Sequence, residues 1–412
     1  MEKLTERALL VGVHTGSRDS LHDTTEESMR ELAQLAETAG AEVIGELVQN
    51  RPAPENATYI GEGKVAEVRE FCECQDIDIV IFDDELSPSQ VRNLTRDIGV
   101  KISDRSGLIM DIFAQRASTN EGKLQVELAQ LRYILPRLSG LGTSLSRLGG
   151  GIGTRGPGET KLESDRRHIH RRIAALSEEL HEVVQNRETQ RRARIKEGIQ
   201  QVAIVGYTNA GKSTLLNKLT DAGVLSEDML FATLDPTARR LTLHDGTTLL
   251  LIDTVGFIRK LPHHLIKAFR STLEESLLSD VLVHIADASS PEVLNHIDIV
   301  NNLIHELGAS DKPMLTVLNK IDKAENLPPL PGCIEISAKT GEGLDNFLEM
   351  LRLSLPSQRV TVNVLIPFDR GGVVARLYDI AKVESEEYVA EGTRMRVIVD
   401  TRGLSEISEW IT

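Results

Sequence analysis

The stretch "GYTNAGKS", Gly206 to Ser213, constrains this chain more than any other. It fits G-x-x-x-x-G-K-[ST], follows the apolar run "QVAIVG" directly and continues into the helix-like "STLLNKLTD". That context defines a phosphate-binding loop and requires a parallel α/β sheet around it. Glycines there let backbone N–H groups converge on phosphate oxygens without Cβ clashes. Lys212 is placed to reach the β and γ phosphates, and Ser213 to ligate Mg²⁺ through its hydroxyl. The start of the following helix adds favourable partial positive charge. The loop set is Gly206, Tyr207, Thr208, Asn209, Ala210, Gly211, Lys212, Ser213 and Thr214.

Three further motifs follow in order. "LLLIDTVG" ends an apolar strand with Asp253, Thr254, Val255 and Gly256. The carboxylate suits a Mg²⁺ shell, and the Gly256 N–H can sense a γ-phosphate. "LNKID" ends another strand with Asn319, Lys320, Ile321 and Asp322. Asp322 can accept two hydrogen bonds from the guanine N1–H and exocyclic amine. Adenine lacks that donor pair and would leave the carboxylate unpaired. "SAK", Ser337, Ala338 and Lys339, follows the last strand of this region and is expected to close over the base. Singly these motifs are weak; in this order and spacing they specify a G-protein domain that hydrolyses GTP to GDP.

The segment "FATLDPT" lies between the phosphate loop and the second strand, where such domains carry a mobile switch. Phe231, Ala232, Thr233, Leu234 and Asp235 therefore join the nucleotide set, with Thr233 the first choice for the second Mg²⁺ hydroxyl and Thr237 the alternative. Ordering of this segment by γ-phosphate and Mg²⁺ is the expected switch. The expected catalytic group is Lys212, Thr233 and Gly256. Phe257 stands where many G proteins place a water-orienting glutamine. Intrinsic hydrolysis is therefore expected to be slow, with a partner or an ion supplying the missing group. Asn209 occupies a position used by some G proteins to ligate K⁺ beside the phosphates, so K⁺-stimulated hydrolysis is the corresponding hypothesis.

Composition limits the alternatives. The 412 residues imply about two or three domains. With 3% aromatic residues, the cores must rest on Leu, Ile, Val and Ala. No apolar run approaches the roughly 18–20 residues of a membrane span. The start "MEKLTERALLVGVHTG" lacks the basic region and cleavage site of a signal peptide. Cys72, Cys74 and Cys333 form neither a disulfide framework nor a zinc set. A cytoplasmic protein is expected.

The first hundred residues alternate strand and helix, as in a small parallel α/β sheet. "YIGEGK" places Gly61, Gly63 and Lys64 before a helix, which reads as a turn with weak anion-binding character. From about Arg105 the spacing turns helical. "NEGKLQVELAQLRYILPRL" and the long "ETKLESDRRHIHRRIAALSEELHEVV" flank a glycine-rich stretch, giving an antiparallel helical hairpin with that stretch as its tip. Leu162, Ile169, Ile173, Leu176, Leu180 and Val183 supply one apolar stripe on the second helix. The expected organisation is an N-terminal α/β domain over 1–104, the hairpin over 105–198 with its tip at 139–158, a P-loop GTPase domain over 199–356 and a small α+β unit over 357–412. That last unit reads strand–helix–strand–strand–helix.

Six of the ten residues from Gly149 to Gly158 are glycine. "GIGTRG" meets the letter of a dinucleotide fingerprint but neither follows a strand nor opens a βαβ unit, so that reading fails. Between Arg132 and Lys196 stand fourteen Lys and Arg against seven Asp and Glu, a net of +7 in a chain of net −15. Such asymmetry points to a polyanion partner at one place. Arg147 and Arg155 in the stretch, and Arg166 and Arg167 just after it, are the candidate RNA contacts. Arg171 and Arg172 extend the basic run. A solvated charged helix and a flexible linker remain the plainer alternatives.

With these residues assembled, the chain resembles the HflX family of translation GTPases over nearly its whole length. The resemblance rests on "YIGEGK", "DRSGLIMDIFAQRA", "EGKLQVELAQLRY", "GIGTRGPGETKLESDRR", "GYTNAGKSTL", "FATLDPT" and "DTVGFIRKLPH". It implies binding to the large ribosomal subunit and its RNA, ribosome-stimulated GTP hydrolysis and splitting of stalled ribosomes under stress. It also implies that the N-terminal domain and hairpin enter the subunit near the peptidyl transferase centre. A monomer is expected. The alternatives are a signalling-type GTPase with a protein partner and a tRNA-modification GTPase. The second would need a substrate pocket in the N-terminal domain, and no motif for one is present.

Overall fold

A computed structural model describes residues 5–16, 25–138, 157–196, 199–220, 230–231, 234, 237–244, 246–260, 278–327, 330–356, 359–400, 404 and 407–411. Strands β1 (Arg7–His14), β2 (Glu42–Asn50), β3 (Ile79–Phe82) and β4 (Lys101–Asp104) form an all-parallel sheet in the order β2-β1-β3-β4. Helices α1 (Thr25–Ala39), α2 (Glu62–Cys74) and α3 (Pro88–Ile98) make the crossovers. Local chemistry sets their ends. Ser87 and Gln90 form a reciprocal capping box at the start of α3, where Pro88 also sits in the first turn. Gly40 and Gly99, with φ of 92° and 90°, stop α1 and α3 in the left-handed region that favours glycine. Leu9, Val11, Val80 and Phe82 fill one face of the sheet, and Leu10, Leu32, Ile79 and Ile81 the other.

Helix α4 (Arg105–Arg116) is capped by Asp104, and α5 (Asn120–Arg137) by Thr119. Helix α6 (Pro157–Lys196) returns alongside α5. Leu124 and Leu128 meet Leu176, flanked by Ile173 and Leu180, so this middle part of the stripe read from the sequence lies in the hairpin seam. Arg172 also crosses the seam: its Nε and Nη2 donate to Glu127 at 2.7 and 2.8 Å.

The second sheet runs β10-β9-β8-β5-β7-β6. Its strands are β5 (Gln200–Gly206), β6 (Thr237–Thr242), β7 (Thr248–Asp253), β8 (Val281–Asp287), β9 (Met314–Asn319) and β10 (Ile334–Glu335). Only the edge strand β6 is antiparallel, joined to β7 through a turn with Gly246 at φ 85°. The helices described with it are α7 (Lys212–Thr220), α8 (Val293–Glu306) and α9 (Leu344–Ser354). Burial on both faces explains the near-continuous apolar runs of β5 and β8.

The last unit has β11 (Arg359–Ile366), α10 (Gly371–Ile380), β12 (Ala381–Val389) and β13 (Gly392–Asp400), with antiparallel order β11-β13-β12. Leu377 packs on Val364, Ile366, Met395 and Val397. Among the described residues its final element is a 3-10 turn, Ser408–Trp410, rather than the expected helix. The mixed α/β class with parallel sheets agrees with the sequence reading.

Candidate nucleotide site

The phosphate loop leaves β5 at Gly206 and enters α7 at Lys212. Gly211 has φ of 95°, and a Cβ there would run into the Asn319 amide, so only glycine suits the position. Asn209 takes a left-handed φ of 59°, which asparagine tolerates better than most residues. Lys212 is 6% exposed, and its ammonium donates to the Gly206 and Tyr207 carbonyls at 3.2 and 2.8 Å. Burial lowers its pKa to about 8, against the raising effect of Asp253. The Thr208 hydroxyl is buried without a hydrogen-bond partner among the described residues, leaving an orphaned polar group in the loop.

Ser213 Oγ donates to Asp253 Oδ2 at 2.7 Å, bringing the two sequence-predicted oxygen ligands together at the end of β7. Hydroxyl and carboxylate oxygens beside a phosphate loop are the donor set that Mg²⁺ prefers. Thr254 donates its hydroxyl to the Ile204 carbonyl at 2.8 Å, so that side chain braces the sheet. Gly256 lies against the loop. A Cβ on it would come within 2.8 Å of Thr208 Cγ2 and 3.0 Å of Lys212 Nζ, so no larger residue fits there. Backbone pairing then continues one step: Phe257 N–H donates to Gly206 at 3.1 Å and Thr208 N–H donates to Phe257 at 2.8 Å.

The base end is assembled by Asn319. Its Nδ2 donates to the Ala210 carbonyl at 2.9 Å, and its Oδ1 accepts from the Ala338 N–H at 2.9 Å. One buried side chain thus ties the phosphate loop to "SAK". Lys320, at φ 65°, pairs with Asp287 at 2.7 Å. Asp322 accepts from Ser337 Oγ at 2.7 Å. That hydrogen bond, with Lys339 and Lys323 nearby, holds its carboxyl below the usual range. Asp322 and Lys339 are exposed while Ile321 is half-buried, an arrangement that leaves the carboxylate open to a base.

Other residues of the predicted set have side chains elsewhere. Tyr207, Phe231, Leu234, Val255 and Phe257 are buried in the apolar core shared by the two sheets, where Phe113 of α4 meets Phe231 edge-on at 4.8 Å. They can offer a nucleotide backbone atoms only. Thr237, the alternative magnesium ligand, is the first residue of β6 and pairs with Asp253. Ala232, Thr233 and Asp235 lie outside the described residues, as do Arg147 and Arg155. Arg166 and Arg167 sit on α6, half-buried and exposed, and Arg167 Nε reaches the Glu163 carbonyl at 3.4 Å. Arg172, also in the basic run, pairs with Glu127 across the seam.

A charged cluster beside this site went unread in the sequence. Arg105 is 1% exposed. It donates to Asp83 Oδ1 at 2.7 Å, Glu31 Oε1 at 2.5 Å, the Ser28 carbonyl at 2.8 Å and the Arg259 carbonyl at 3.4 Å. Arg259 pairs with Glu27 at 3.3 Å and with Glu292, and Lys260 with Asp83 and, at 2.9 Å, with Asp84. Arg259 and Lys260 follow "DTVGFI" immediately, so their position just after Gly256 was the available signal.

Comparison with known proteins adds the family. A family model described as "GTP-binding GTPase N-terminal" matches residues 26–114, and "GTP-binding GTPase Middle Region" matches 116–194. "50S ribosome-binding GTPase" matches residues 201–320. A protein named GTPase HflX from Lacrimispora saccharolytica is 47% identical over 99% of this chain and 97% of its own length. The chain belongs to the HflX family of GTPases. A second GTPase HflX, from Caldanaerobacter subterraneus subsp. tengcongensis, is 51% identical over 97% of this chain and 93% of its own. Among solved structures, a GTP-binding protein from Sulfolobus solfataricus in complex with GDP is 25% identical. It covers 85% of this chain and 98% of its own, at a TM-score of 0.44. This HflX-family chain binds and hydrolyses GTP, and no helix among its described residues is long and apolar enough to cross a membrane.

Proposed function

We propose that this HflX-family GTPase acts on the large ribosomal subunit and splits or rescues stalled ribosomes under stress. The observation that carries this reading is the pairing of a GTPase domain of the 50S ribosome-binding type with a basic hairpin on the same chain. In this reading Arg147, Arg155, Arg166 and Arg167 meet ribosomal RNA phosphates around the glycine tip. The protein works as a cytoplasmic monomer, and ribosomes stimulate its hydrolysis.

At the nucleotide, the phosphate loop from Gly206 to Thr214 cradles the phosphates, and Lys212 neutralises the β and γ oxygens. Ser213 and Thr233 hold Mg²⁺, with Asp253 accepting the Ser213 hydroxyl beside it; the ion, when bound, offsets charge developing on the phosphate oxygens. Gly256 is the backbone sensor of the γ-phosphate. Asn319 sets the geometry of the base site, and Asp322 selects guanine. Phe257 is withdrawn into the core, so the attacking water is ordered by something other than that side chain. K⁺ held by Asn209 is the ion proposed for part of that task.

The test is the GTPase rate with and without large subunits, across salt and in potassium against sodium. Strong stimulation that falls steeply with salt is expected, because phosphate contacts release counterions. Stimulation unaffected by salt would favour a protein partner. Equal rates in the two buffers would remove K⁺ from the site.

A further inference from the structure

Tyr207 is the first variable residue of the phosphate loop, yet its side chain points away from where phosphates would lie. The residue is 6% exposed, and its ring stacks on His296 of α8 at 3.9 Å with 12° between the planes. A phenylalanine would supply that packing equally well. The hydroxyl is therefore the informative part, since a buried O–H is costly unless it is fully used. It accepts the backbone N–H of Arg259 at 2.9 Å and donates to Glu31 of α1. Burial and the adjacent Glu31 push its pKa well up, so it remains a donor at neutral pH.

Both ends of this link are anchored. On the nucleotide side, Tyr207 is the residue opposite Phe257 in an isolated parallel bridge. Across it, Thr208 N–H and the Phe257 carbonyl join the loop to the segment after Gly256. On the other side, Glu31 receives Arg105, which also donates to the carbonyl of Arg259. The peptide groups of Arg259 are thus held at the N–H by the phosphate loop's own tyrosine and at the C=O by the N-terminal domain. Arg259 lies three residues after Gly256. A displacement of Gly256 and Phe257 that carries Arg259 along must either break its bond to the Tyr207 hydroxyl or take Glu31 and α1 with it.

We propose that Tyr207 is a positioning residue whose hydroxyl links the nucleotide state of the phosphate loop to the placement of helix α1 in the N-terminal domain. The proposal rests on the assignment of Gly206 to Ser213 as the phosphate loop, and its test separates the two.

The experiment is backbone hydrogen exchange on the full chain, with GDP and with a non-hydrolysable GTP analogue, in wild type and Tyr207→Phe. Steady-state hydrolysis is measured alongside. In wild type, exchange within Thr25–Ala39 should differ at least threefold between the two nucleotides. In Tyr207→Phe that difference should vanish, while GDP still protects the Gly206–Ser213 segment. The kcat should change at least threefold with KM for GTP within twofold. Glu31→Leu, which removes the acceptor at the other end of the bond, should lose the α1 response in the same way and serves where Tyr207→Phe fails to fold. A persisting α1 response in either folded variant, or none in wild type, would overturn the proposal. Loss of GDP protection in wild type would instead remove the phosphate-loop assignment.

Discussion

Replacing Arg105 with alanine tests the charged cluster most directly. Its guanidinium is 1% exposed and serves Asp83, Glu31, Ser28 and the Arg259 carbonyl. Asp83 has a side chain only 3% exposed, so its charge cannot turn to water once the arginine is gone. Breaking a buried pair by removing one partner costs about 3–5 kcal/mol. Lys260 remains beside Asp83 and offsets part of this, so about 3 kcal/mol is expected. The pH dependence gives a second measure. Burial alone would raise the Asp83 pKa, but Arg105 and Lys260 outweigh it and hold the carboxyl down to about 2. A depressed carboxylate contributes stability that is present above its unfolded pKa and lost as pH falls through its folded one. With the ordinary value 3.8 and the folded value about 2, the loss falls between about pH 4 and pH 2 and amounts to roughly 2 kcal/mol. The assay is hydrogen exchange of β1 and β3, which reads the N-terminal sheet by itself in a multidomain chain. Arg105→Ala should open that sheet more readily at pH 7 and flatten its acid dependence. Arg105→Met, which retains the volume, should still lose the charge-dependent part. A loss under about 1 kcal/mol, the range of exposed pairs, would refute the reading of a dry, charge-matched cluster.

Three other outcomes follow from the nucleotide site. Lys212→Ala should abolish productive GTP binding, measured by fluorescent-nucleotide titration; near-normal affinity would sink the phosphate-loop assignment. Asp322→Asn should move preference from GTP towards xanthosine triphosphate by at least about tenfold, since its amide matches the xanthine edge and leaves guanine poorly paired. Deleting Gly149 to Gly158 should leave intrinsic hydrolysis intact and remove ribosome-stimulated turnover. Failure of nucleotide binding in that deletion would show that the stretch serves the GTPase domain instead of a tip.

Much of the fold was legible because local signals agreed with one another. The alternation of apolar runs with helical spacing marked the parallel sheets, and Leu176 with its neighbours marked the hairpin seam. The proposed nucleotide residues stand out in the sequence for a related reason: Ser213 lies in the first turn of a helix, Asp253 and Asn319 end strands, and Asp322 follows two residues after Lys320. What stayed hidden depends on contacts between segments far apart in the chain. Nothing local to Arg172 distinguishes it from Arg171, yet Arg172 faces Glu127 across the hairpin seam. Arg105 follows a strand and opens a helix like many exposed arginines. Only the folded chain brings Glu31, Asp83 and Arg259 around it. Tyr207 and Phe231 stand in nucleotide motifs, and nothing local says where their side chains go. The structure turns them into the core between the sheets.

That core explains why the boundary between the N-terminal domain and the GTPase domain is charged as well as apolar. On the N-terminal side, Glu31 and Asp83 are held by the Arg105 guanidinium, while Glu27 and Asp84 face the neighbouring segment. Arg259 and Lys260 from the segment after Gly256 supply the balancing charge. If the segment moved away, Arg105 would still neutralise Asp83 and Glu31 within their own domain, so no carboxylate of that pair would be stranded. Arg259 and Lys260 would regain water, which recovers most of their desolvation cost. A purely apolar contact of the same area would lose its burial on opening with nothing in exchange. The matched carboxylates therefore fix where the segment docks, while the pairs retained on each side keep the docked and released arrangements close in free energy. The role proposed for this segment, responding to a γ-phosphate, calls for both properties.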